Sequence, residues 1–282
     1  MTGATPSSRA FHPRRARGQS FLQDQQILGR IVTAIGPRPG QTLLEIGAGS
    51  GELTLPLAAR STSRIVAVET DRLLFARLER ALEESGVTNV EPLYTDFLAL
   101  DFQRFLDDRG LNRIRVVGNL PFSVASPILV KLLSYRHYLV DLTLMFQLEV
   151  AARLVAQPAT KPYGFLSVVA QQATRVTMVF PVPPSAFKPR PRVHAALVRM
   201  VPLREKEPPI SDPAVFQALV RGLLTHRRQN ISNNLKRLSS NVLDAAAIRE
   251  GLRALDIDPK LRAETLSVEQ FAKLSYFCGT TA

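Results

Sequence analysis

The chain has 282 residues, enough for one large domain and a smaller one, and 45% of them are hydrophobic, which allows a sizeable core. It carries 36 Lys and Arg against 24 Asp and Glu, and this net charge of +12 is typical of a protein that binds a phosphate backbone. The single cysteine, Cys278, excludes an intrachain disulfide and a cysteine-cluster zinc site, and it fits a reducing cytosol. Because neither a secretory signal nor a transmembrane-length apolar run is visible, we expect a cytoplasmic protein with no membrane partner. The histidines show no metal-ligand spacing, so we also expect no metal site.

The predicted elements alternate between helices and strands over most of the chain. Residues 1–15 are basic and contain no acid, and we expect a disordered lead-in there rather than a transit peptide. Over residues 16–203, strands are predicted at 42–46, 64–69, 90–94, 114–118, 141–147, 174–180 and 193–201, and helices at 25–35, 53–60, 72–85 and 126–133. This order predicts an α/β fold with a Rossmann-like, seven-stranded, mostly parallel sheet.

The last quarter of the chain has a different pattern. Residues 204–211 are polar and broken by prolines, which predicts a linker. No strand-like run follows it, and helical periodicity returns at 213–224, 229–238, 243–255 and 267–278. We therefore expect a smaller, all-helical C-terminal domain over residues 212–282.

A glycine-rich loop follows the strand predicted at 42–46. Its glycines, Gly47, Gly49 and Gly51, allow a tight turn and the close approach of a ligand. A nicotinamide dinucleotide is disfavoured, because Glu52 occupies the third glycine position of the dinucleotide fingerprint and would repel a pyrophosphate at a helix N-terminus. S-adenosylmethionine carries no phosphate, so an acid beside its loop costs little.

Two acids end the next two predicted strands. Glu69 lies about 20 residues beyond the glycine loop, at the position that binds ribose hydroxyls in nucleotide-binding βαβ units. Asp96 follows the strand at 90–94, and its carboxylate suits an adenine amino group. A glycine loop alone is weak support for a nucleoside site, whereas the loop and both acids at successive strand ends form a stronger set.

The strand predicted at 114–118 is followed by Asn119, Leu120, Pro121 and Phe122. The Asn119 side chain and the Leu120 carbonyl can accept two hydrogen bonds from one exocyclic amine, because ligands of open α/β sheets sit at the carboxyl ends of strands. Pro121 restricts the backbone, and the Phe122 ring offers stacking worth about 1–3 kcal/mol per base. Taken alone, these residues fit equally well a strand that ends at a proline, with Phe122 in the core.

With these motifs in place, the chain resembles the ribosomal RNA adenine N6,N6-dimethyltransferases from about Arg14 to about Phe277. Beyond the two site motifs, similar segments are Gly18 to Asp24, Pro183 to Val193, Arg227 with Arg228, and Asp258 to Glu264. Two positions depart from the family pattern. Ser20 stands where the family usually has Asn, and Phe122 stands where Tyr is commoner.

The resemblance implies a methyltransferase sheet and a set of site residues. It implies that S-adenosylmethionine is bound by Ser20, Leu22, Gly47, Gly49, Glu69, Asp96 and Asn119. It implies that the catalytic group consists of Asn119, Leu120, Pro121, Phe122 and Phe187. For RNA binding we expect the basic residues Arg14, Arg15, Arg17, Lys188, Arg190, Arg192, Arg227 and Arg228, with a further contribution from the helical C-terminal domain.

The implied reaction is dimethylation of the N6 amino groups of two adjacent adenines near the 3′ end of small-subunit (16S) rRNA. The implied partner is this rRNA within a pre-ribosomal 30S particle, and we expect a monomer. Two other functions share most of the motifs: methylation of large-subunit rRNA, as in resistance enzymes, and a non-catalytic assembly or transcription factor. A DNA adenine methyltransferase is disfavoured by Leu120, where proline is usual, and zinc deaminases by the absence of their ligand motifs.

Overall fold

The computed structural model of the chain describes residues 20–60, 63–203, 210, 212–226, 229–235 and 245–278. Nine strands lie within this part of the chain. They are β1 Phe21–Leu22, β2 Thr42–Ile46, β3 Arg64–Glu69, β4 Val90–Tyr94, β5 Ile114–Gly118, β6 Leu139–Gln147, β7 Thr174–Val182, β8 Phe187–Lys188 and β9 Ala195–Pro202.

Seven of these strands form one sheet in the order β4-β3-β2-β5-β6-β9-β7. The first five in that order are parallel, β9 runs antiparallel to β6, and β7 runs antiparallel to β9. The predicted Rossmann-like, seven-stranded sheet is therefore confirmed. Since β2 to β6 all run the same way, the loops after β2, β3, β4 and β5 meet at one edge of the sheet, where such folds bind ligands.

A second, two-stranded sheet was not predicted. In it β1 pairs antiparallel with β8, so that Leu22 lies opposite Phe187 and Phe21 lies opposite Lys188. Strands of two residues are too short to show an alternating pattern, and only the fold brings these distant segments together. The pairing places the segment that precedes the first helix beside the segment from Pro183 to Val193, which is rich in proline.

Eleven α-helices lie in the described part of the chain. They are α1 Gln25–Ile35, α2 Thr54–Arg60, α3 Arg72–Ser85, α4 Phe102–Asp107, α5 Ala125–Ser134, α6 Leu148–Leu154, α7 Phe165–Ala173, α8 Pro213–Leu224, α9 Ile231–Leu235, α10 Ala245–Ala254 and α11 Val268–Cys278. The bounds of α1, α3 and α8 match the sequence prediction, because each helix directly follows an aspartate whose side chain accepts first-turn N–H groups. The short helices α4, α6 and α7 were not predicted.

Hydrophobic clusters cover the two faces of the large sheet. One cluster contains buried residues of α1, α2 and α3, and the other contains residues of α4 to α7. Residues of α8 to α11, such as Phe216 and Phe271, belong to the second cluster, and the Tyr163 hydroxyl donates a 2.9 Å hydrogen bond to the Leu266 carbonyl. The helical region thus shares a core with the sheet. Its separation as a domain stays a prediction, since residues 204–209 and 211 lie outside the described residues.

A buried ion pair ties α1 to the middle of the sheet. Arg115 of β5 donates to Asp141 of β6 at 2.7 and 3.0 Å, and the same guanidinium donates to the carbonyls of Ile35 and Gly36 at the end of α1. Arg199 of β9 donates to Asp141 Oδ2 at 2.7 Å, an atom that also accepts from Arg115. Such a pair is costly to break by removing one partner, because the other charge would be left buried.

Candidate active site

The loop after β2 has a backbone that only glycine adopts readily. Gly47 and Gly49 have φ angles of 75° and 63°, in the left-handed region. A side chain at Gly49 would in addition lie 2.8 Å from Glu52 Oε2, which is too close for any carbon. The loop is held against the neighbouring strand, because the N–H groups of Gly47 and Ala48 donate to the Val68 carbonyl at 2.9 and 3.0 Å.

Glu69 lies at the end of β3 with a side chain that is 5% exposed. Its carboxylate accepts three backbone hydrogen bonds, from Gly49 at 2.8 Å, Thr70 at 2.9 Å and Asp71 at 2.8 Å. Burial raises the pKa of Glu69, and the backbone donors oppose that rise by stabilising the charged form. A carboxylate offers about four acceptor positions, so the group retains capacity for a ligand hydroxyl.

Asp96 lies in the loop after β4 and is exposed at the cavity. Its Oδ1 atom accepts a 2.9 Å hydrogen bond from the Leu98 N–H, and its backbone carbonyl accepts from Ala99 and Leu100 at 3.1 and 3.0 Å. The carboxylate is thereby oriented by its own loop and keeps acceptor positions for a ligand donor.

Asn119 directly follows β5. Its Nδ2 group donates to the Ser20 carbonyl at 3.5 Å, which leaves the side-chain oxygen as an acceptor. Because the acceptor is the backbone carbonyl of residue 20, this contact does not depend on whether residue 20 is Ser, as here, or Asn, as is usual in the family. The preceding residue, Gly118, is a further requirement that the sequence did not reveal. A Cβ atom there would lie 2.5 Å from the Ile46 carbonyl oxygen, so only glycine lets β5 and β2 approach this closely.

The rest of the Asn119 motif divides between core and cavity. Leu120 is 2% exposed and its side chain is part of the hydrophobic core, which anchors the motif. Pro121 accepts a 3.0 Å hydrogen bond from Val124 at its carbonyl, and Phe122 is half-buried at the cavity. Phe187 is 4% exposed and packs opposite Leu22, and it is not among the described residues that line the cavity. Its stacking role stays a prediction.

These residues surround one cavity of about 390 Å³ at the carboxyl edge of the sheet. The size is in the range of small-molecule sites, about 300–1,000 Å³. The cavity brings together ten of the residues singled out from the sequence: Ser20, Leu22, Gly47, Gly49, Glu69, Asp96, Asn119, Leu120, Pro121 and Phe122.

The charge of the lining selects the kind of ligand. Among the described lining residues are the carboxyl groups of Glu45, Glu52, Glu69 and Asp96, and no Lys, Arg or His. Burial raises the pKa of Glu52 as it does that of Glu69. A lining with acceptors and no cation disfavours a pyrophosphate. It fits the ribose hydroxyls, the adenine amine and the cationic sulfonium of S-adenosylmethionine.

Two buried polar residues in the cavity wall were missed from the sequence. Glu45 of β2 is 1% exposed, and Thr143 of β6 is 2% exposed. Within the described part of the chain, Glu45 Oε2 and Thr143 Oγ1 are buried without a hydrogen-bond partner. Burial raises the pKa of Glu45 to about 8. The available signal was an acid inside the apolar run at 42–46.

The basic residues are only partly within the described chain. Lys188, Arg190 and Arg192 are exposed, and Lys188 lies opposite Phe21, which lines the cavity. Of these three residues, Lys188 is thereby placed beside the cavity lining. The other five predicted RNA-binding residues, Arg14, Arg15, Arg17, Arg227 and Arg228, lie outside the described residues.

Together, the sheet and the cavity at its carboxyl edge define an S-adenosylmethionine-dependent methyltransferase. The family model described as "Ribosomal RNA adenine dimethylase" matches residues 10–278, and the chain belongs to this family. The predicted family and the predicted cofactor are thereby confirmed. Members of the family act on ribosomal RNA.

Individual relatives agree with this assignment. The chain is 39% identical over 262 residues to "Ribosomal RNA small subunit methyltransferase A" of Proteus mirabilis, covering 93% of this chain and 92% of the relative. Among solved structures, it is similar to a dimethyladenosine transferase from Plasmodium falciparum, with a TM-score of 0.74, 23% identity and coverage of 90% and 95%. It is also similar to the 23S rRNA methyltransferase ErmE, with a TM-score of 0.64, 25% identity and coverage of 92% and 99%. No helix among the described residues is long and apolar enough to span a membrane.

Proposed function

We propose that the protein transfers methyl groups from S-adenosylmethionine to the N6 atoms of two adjacent adenines near the 3′ end of 16S rRNA. The observation that carries this proposal is that Asn119 lines the same cavity as Glu69 and Asp96, the two acids expected to bind the nucleoside part of the cofactor. The relative from Proteus mirabilis, whose name states a small-subunit target, supports 16S rRNA as the substrate. A pre-ribosomal 30S particle in the cytoplasm, bound by a monomer, is the setting that we infer.

The cofactor role is divided among the strand ends. Glu69 accepts the ribose hydroxyls, Asp96 accepts the adenine amine, and Gly47 and Gly49 leave room for close approach of the cofactor backbone. Ser20 and Leu22, which line the same cavity, close it from the side of the first helix. When bound, S-adenosylmethionine supplies an electrophilic methyl group.

Asn119 carries the chemical role. The target adenine leaves its stack, since its amino group cannot reach a buried methyl donor inside a helix. The side-chain oxygen of Asn119 and the Leu120 carbonyl accept hydrogen bonds from N6 and orient its lone pair, while Phe122 stacks on the base. Methylation makes the amine acidic, so its proton leaves to solvent afterwards and no strong general base is needed. Positioning supplies most of the rate enhancement.

The basic segment of Lys188, Arg190 and Arg192 holds RNA phosphates beside the cavity mouth. The arginines at 14, 15, 17, 227 and 228, together with the helical region at 212–282, extend this interface in our proposal. Phe187, which is buried opposite the cavity-lining Leu22, is in our proposal a second ring that stacks on the base.

One experiment separates this function from its alternatives. The gene is expressed in a bacterial strain that lacks its own 16S rRNA adenine dimethyltransferase, and N6,N6-dimethyladenosine is mapped separately in 16S and 23S rRNA by mass spectrometry of nuclease fragments. We expect two dimethyladenosines near the 3′ end of 16S rRNA, and none with Asn119→Ala. The similarity to ErmE makes a 23S modification the specific alternative outcome. Binding of small subunits without methyl transfer would instead support a non-catalytic factor.

A further inference from the structure

Lys131 binds the loop that carries Asp96. It lies on α5, the helix that starts just after the Asn119 motif, and its ammonium donates to three backbone carbonyls. The acceptors are Phe97 at 2.8 Å, Leu98 at 2.9 Å and Leu100 at 2.5 Å. Since an ammonium has three N–H donors, this loop uses its whole donor capacity.

Asp96 itself also stabilises this loop by accepting hydrogen bonds from its backbone N–H groups. Its carboxylate accepts the Leu98 N–H, and its carbonyl accepts the Leu100 N–H. At Leu98 and Leu100, therefore, Asp96 binds the N–H group and Lys131 binds the carbonyl. The loop has neither strand nor regular helix structure of its own, so these contacts determine where the Asp96 carboxylate lies.

Lys131 lies behind the cavity wall and not in it. It is not among the described residues that line the cavity, and its ammonium lies 5.2 Å from the centre of the Phe97 ring. Phe97 is 3% exposed and does line the cavity. Burial lowers the pKa of Lys131, which sets this residue apart from a solvated surface lysine.

We propose that Lys131 is a positioning residue for recognition of the cofactor's adenine ring. It holds the carbonyls of residues 97–100 so that the Asp96 carboxylate stays in place to accept the adenine amino group. Since α5 starts just after the Asn119 motif, the same contact connects this motif to the loop that carries Asp96. The proposal rests on the role assigned to Asp96 above.

The test compares two ligands that differ at the C6 amino position of the adenine ring and in the proton on N1 that goes with it. S-adenosylhomocysteine carries the amine, and S-inosylhomocysteine carries an oxygen there. Their dissociation constants are measured by calorimetry for the wild-type protein, for Lys131→Met, and for Lys161→Met, a control at an exposed lysine. We expect the wild type and the control to prefer the adenosyl ligand by about tenfold or more, and Lys131→Met to reduce that preference to about threefold or less.

A merely structural role would weaken both ligands equally and leave the preference unchanged. Lys131→Gln keeps two N–H donors without the charge, and we expect an intermediate preference, which serves as the readout if Lys131→Met does not fold. Lys131→Cys in a Cys278→Ser background has one thiol, and its aminoethylation should restore the wild-type preference. An undiminished preference in Lys131→Met and Lys131→Gln would overturn the proposal. A wild-type protein without any preference would overturn the Asp96 assignment itself, and the role of Lys131 with it.

Discussion

A hydrogen bond of 2.8 Å joins the Gly49 N–H to Glu69 Oε2 across 20 residues of sequence. It connects the glycine loop after β2 to the acid that ends β3. Because two more backbone N–H groups donate to the same carboxylate, Glu69 shapes the site even before a ligand arrives. The cofactor loop and the proposed ribose acceptor are therefore one structural unit, and a change in either affects the other.

Replacement of Glu69 tests this unit. Glu69→Ala removes the ribose acceptor and leaves three backbone donors without their partner, so we expect S-adenosylmethionine to bind about ten- to a hundredfold more weakly, given about 1.5–3 kcal/mol for a charged hydrogen bond. Calorimetry measures the dissociation constant. Glu79→Ala, at an exposed position on α3, is the matched control and should bind as the wild type does. If Glu69→Ala bound S-adenosylmethionine as tightly as the wild type, Glu69 would not be the ribose acceptor.

Asn119→Ala should nearly abolish methyl transfer while cofactor and RNA affinities change little. The lost hydrogen bond matters chiefly while N6 attacks, so we expect kcat to fall by at least about a hundredfold. Single-turnover methylation of undermethylated small subunits measures the rate, and calorimetry and filter binding measure the two affinities. Production of dimethyladenosine at the normal rate would contradict the role assigned to Asn119.

We expect activity to require an aromatic ring at position 122, whether it belongs to Phe or to Tyr. Phe122→Ala removes a stacking surface worth about 1–3 kcal/mol per base, so turnover and base capture should both weaken. Phe122→Tyr keeps the stacking face and should remain active, in line with the tyrosine that is commoner in the family. The measurement is kcat and KM for rRNA in both variants. Full activity of Phe122→Ala would show that the ring is not needed for stacking on the base.

Charge reversal at Arg190 and Arg192 should weaken RNA binding without affecting the cofactor. Each phosphate contact contributes about 0.7–0.9 to the slope of log affinity against log salt, so the variant should also have a shallower slope. Arg38→Glu with Arg60→Glu is the matched control, because both arginines are exposed and lie at the opposite edge of the sheet. If both double variants lost RNA affinity equally, net charge and not the cavity border would explain the effect.

Glu45 should make stability depend on pH. Burial raises its pKa from the ordinary value of 4.5 to about 8, so between these values the folded state holds a proton that the unfolded state has lost. The free energy of unfolding from this group therefore falls as the pH rises through that window, by up to about 1.4 kcal/mol per unit. Glu45→Gln should flatten the decline in urea unfolding of the ligand-free protein, whereas Glu79→Gln should not. An unchanged slope in Glu45→Gln would show that Glu45 is ionised in the fold.

Much of the fold was predictable because its signals are local. The helices α1 and α3 begin at Asp24 and Asp71, whose side chains accept the first N–H groups, and end at Gly36 and Gly86 in the left-handed conformation. Buried parallel strands read as continuous apolar runs, which marked β2, β3 and β5. The short helices α4, α6 and α7 were not predicted because six to nine residues show little periodicity, although Asp101 caps α4 in the same way.

The candidate site divides in the same way. The sequence predicted that Gly47, Glu69, Asp96 and Asn119 lie together, because each ends or follows a strand and parallel strands bring their carboxyl ends to one edge. All four line the cavity, and the roles assigned to them stay predictions. Side-chain type and strand order were enough to group them. It was not predictable that Phe122 lines the cavity while Phe187 is buried away from it, since the two rings are chemically equivalent and differ only in what packs against them.

Local caps, apolar runs and motifs were enough to predict the class of fold, the cofactor and the family, because their chemistry does not depend on distant contacts. The residues that support the cavity could be identified only from the fold. The close approach of β5 to β2 at Gly118, the β1–β8 pair and the contact of Lys131 with the Asp96 loop join segments far apart in the chain. Such contacts leave no periodic pattern, because their energy depends on distances in space that sequence spacing does not encode.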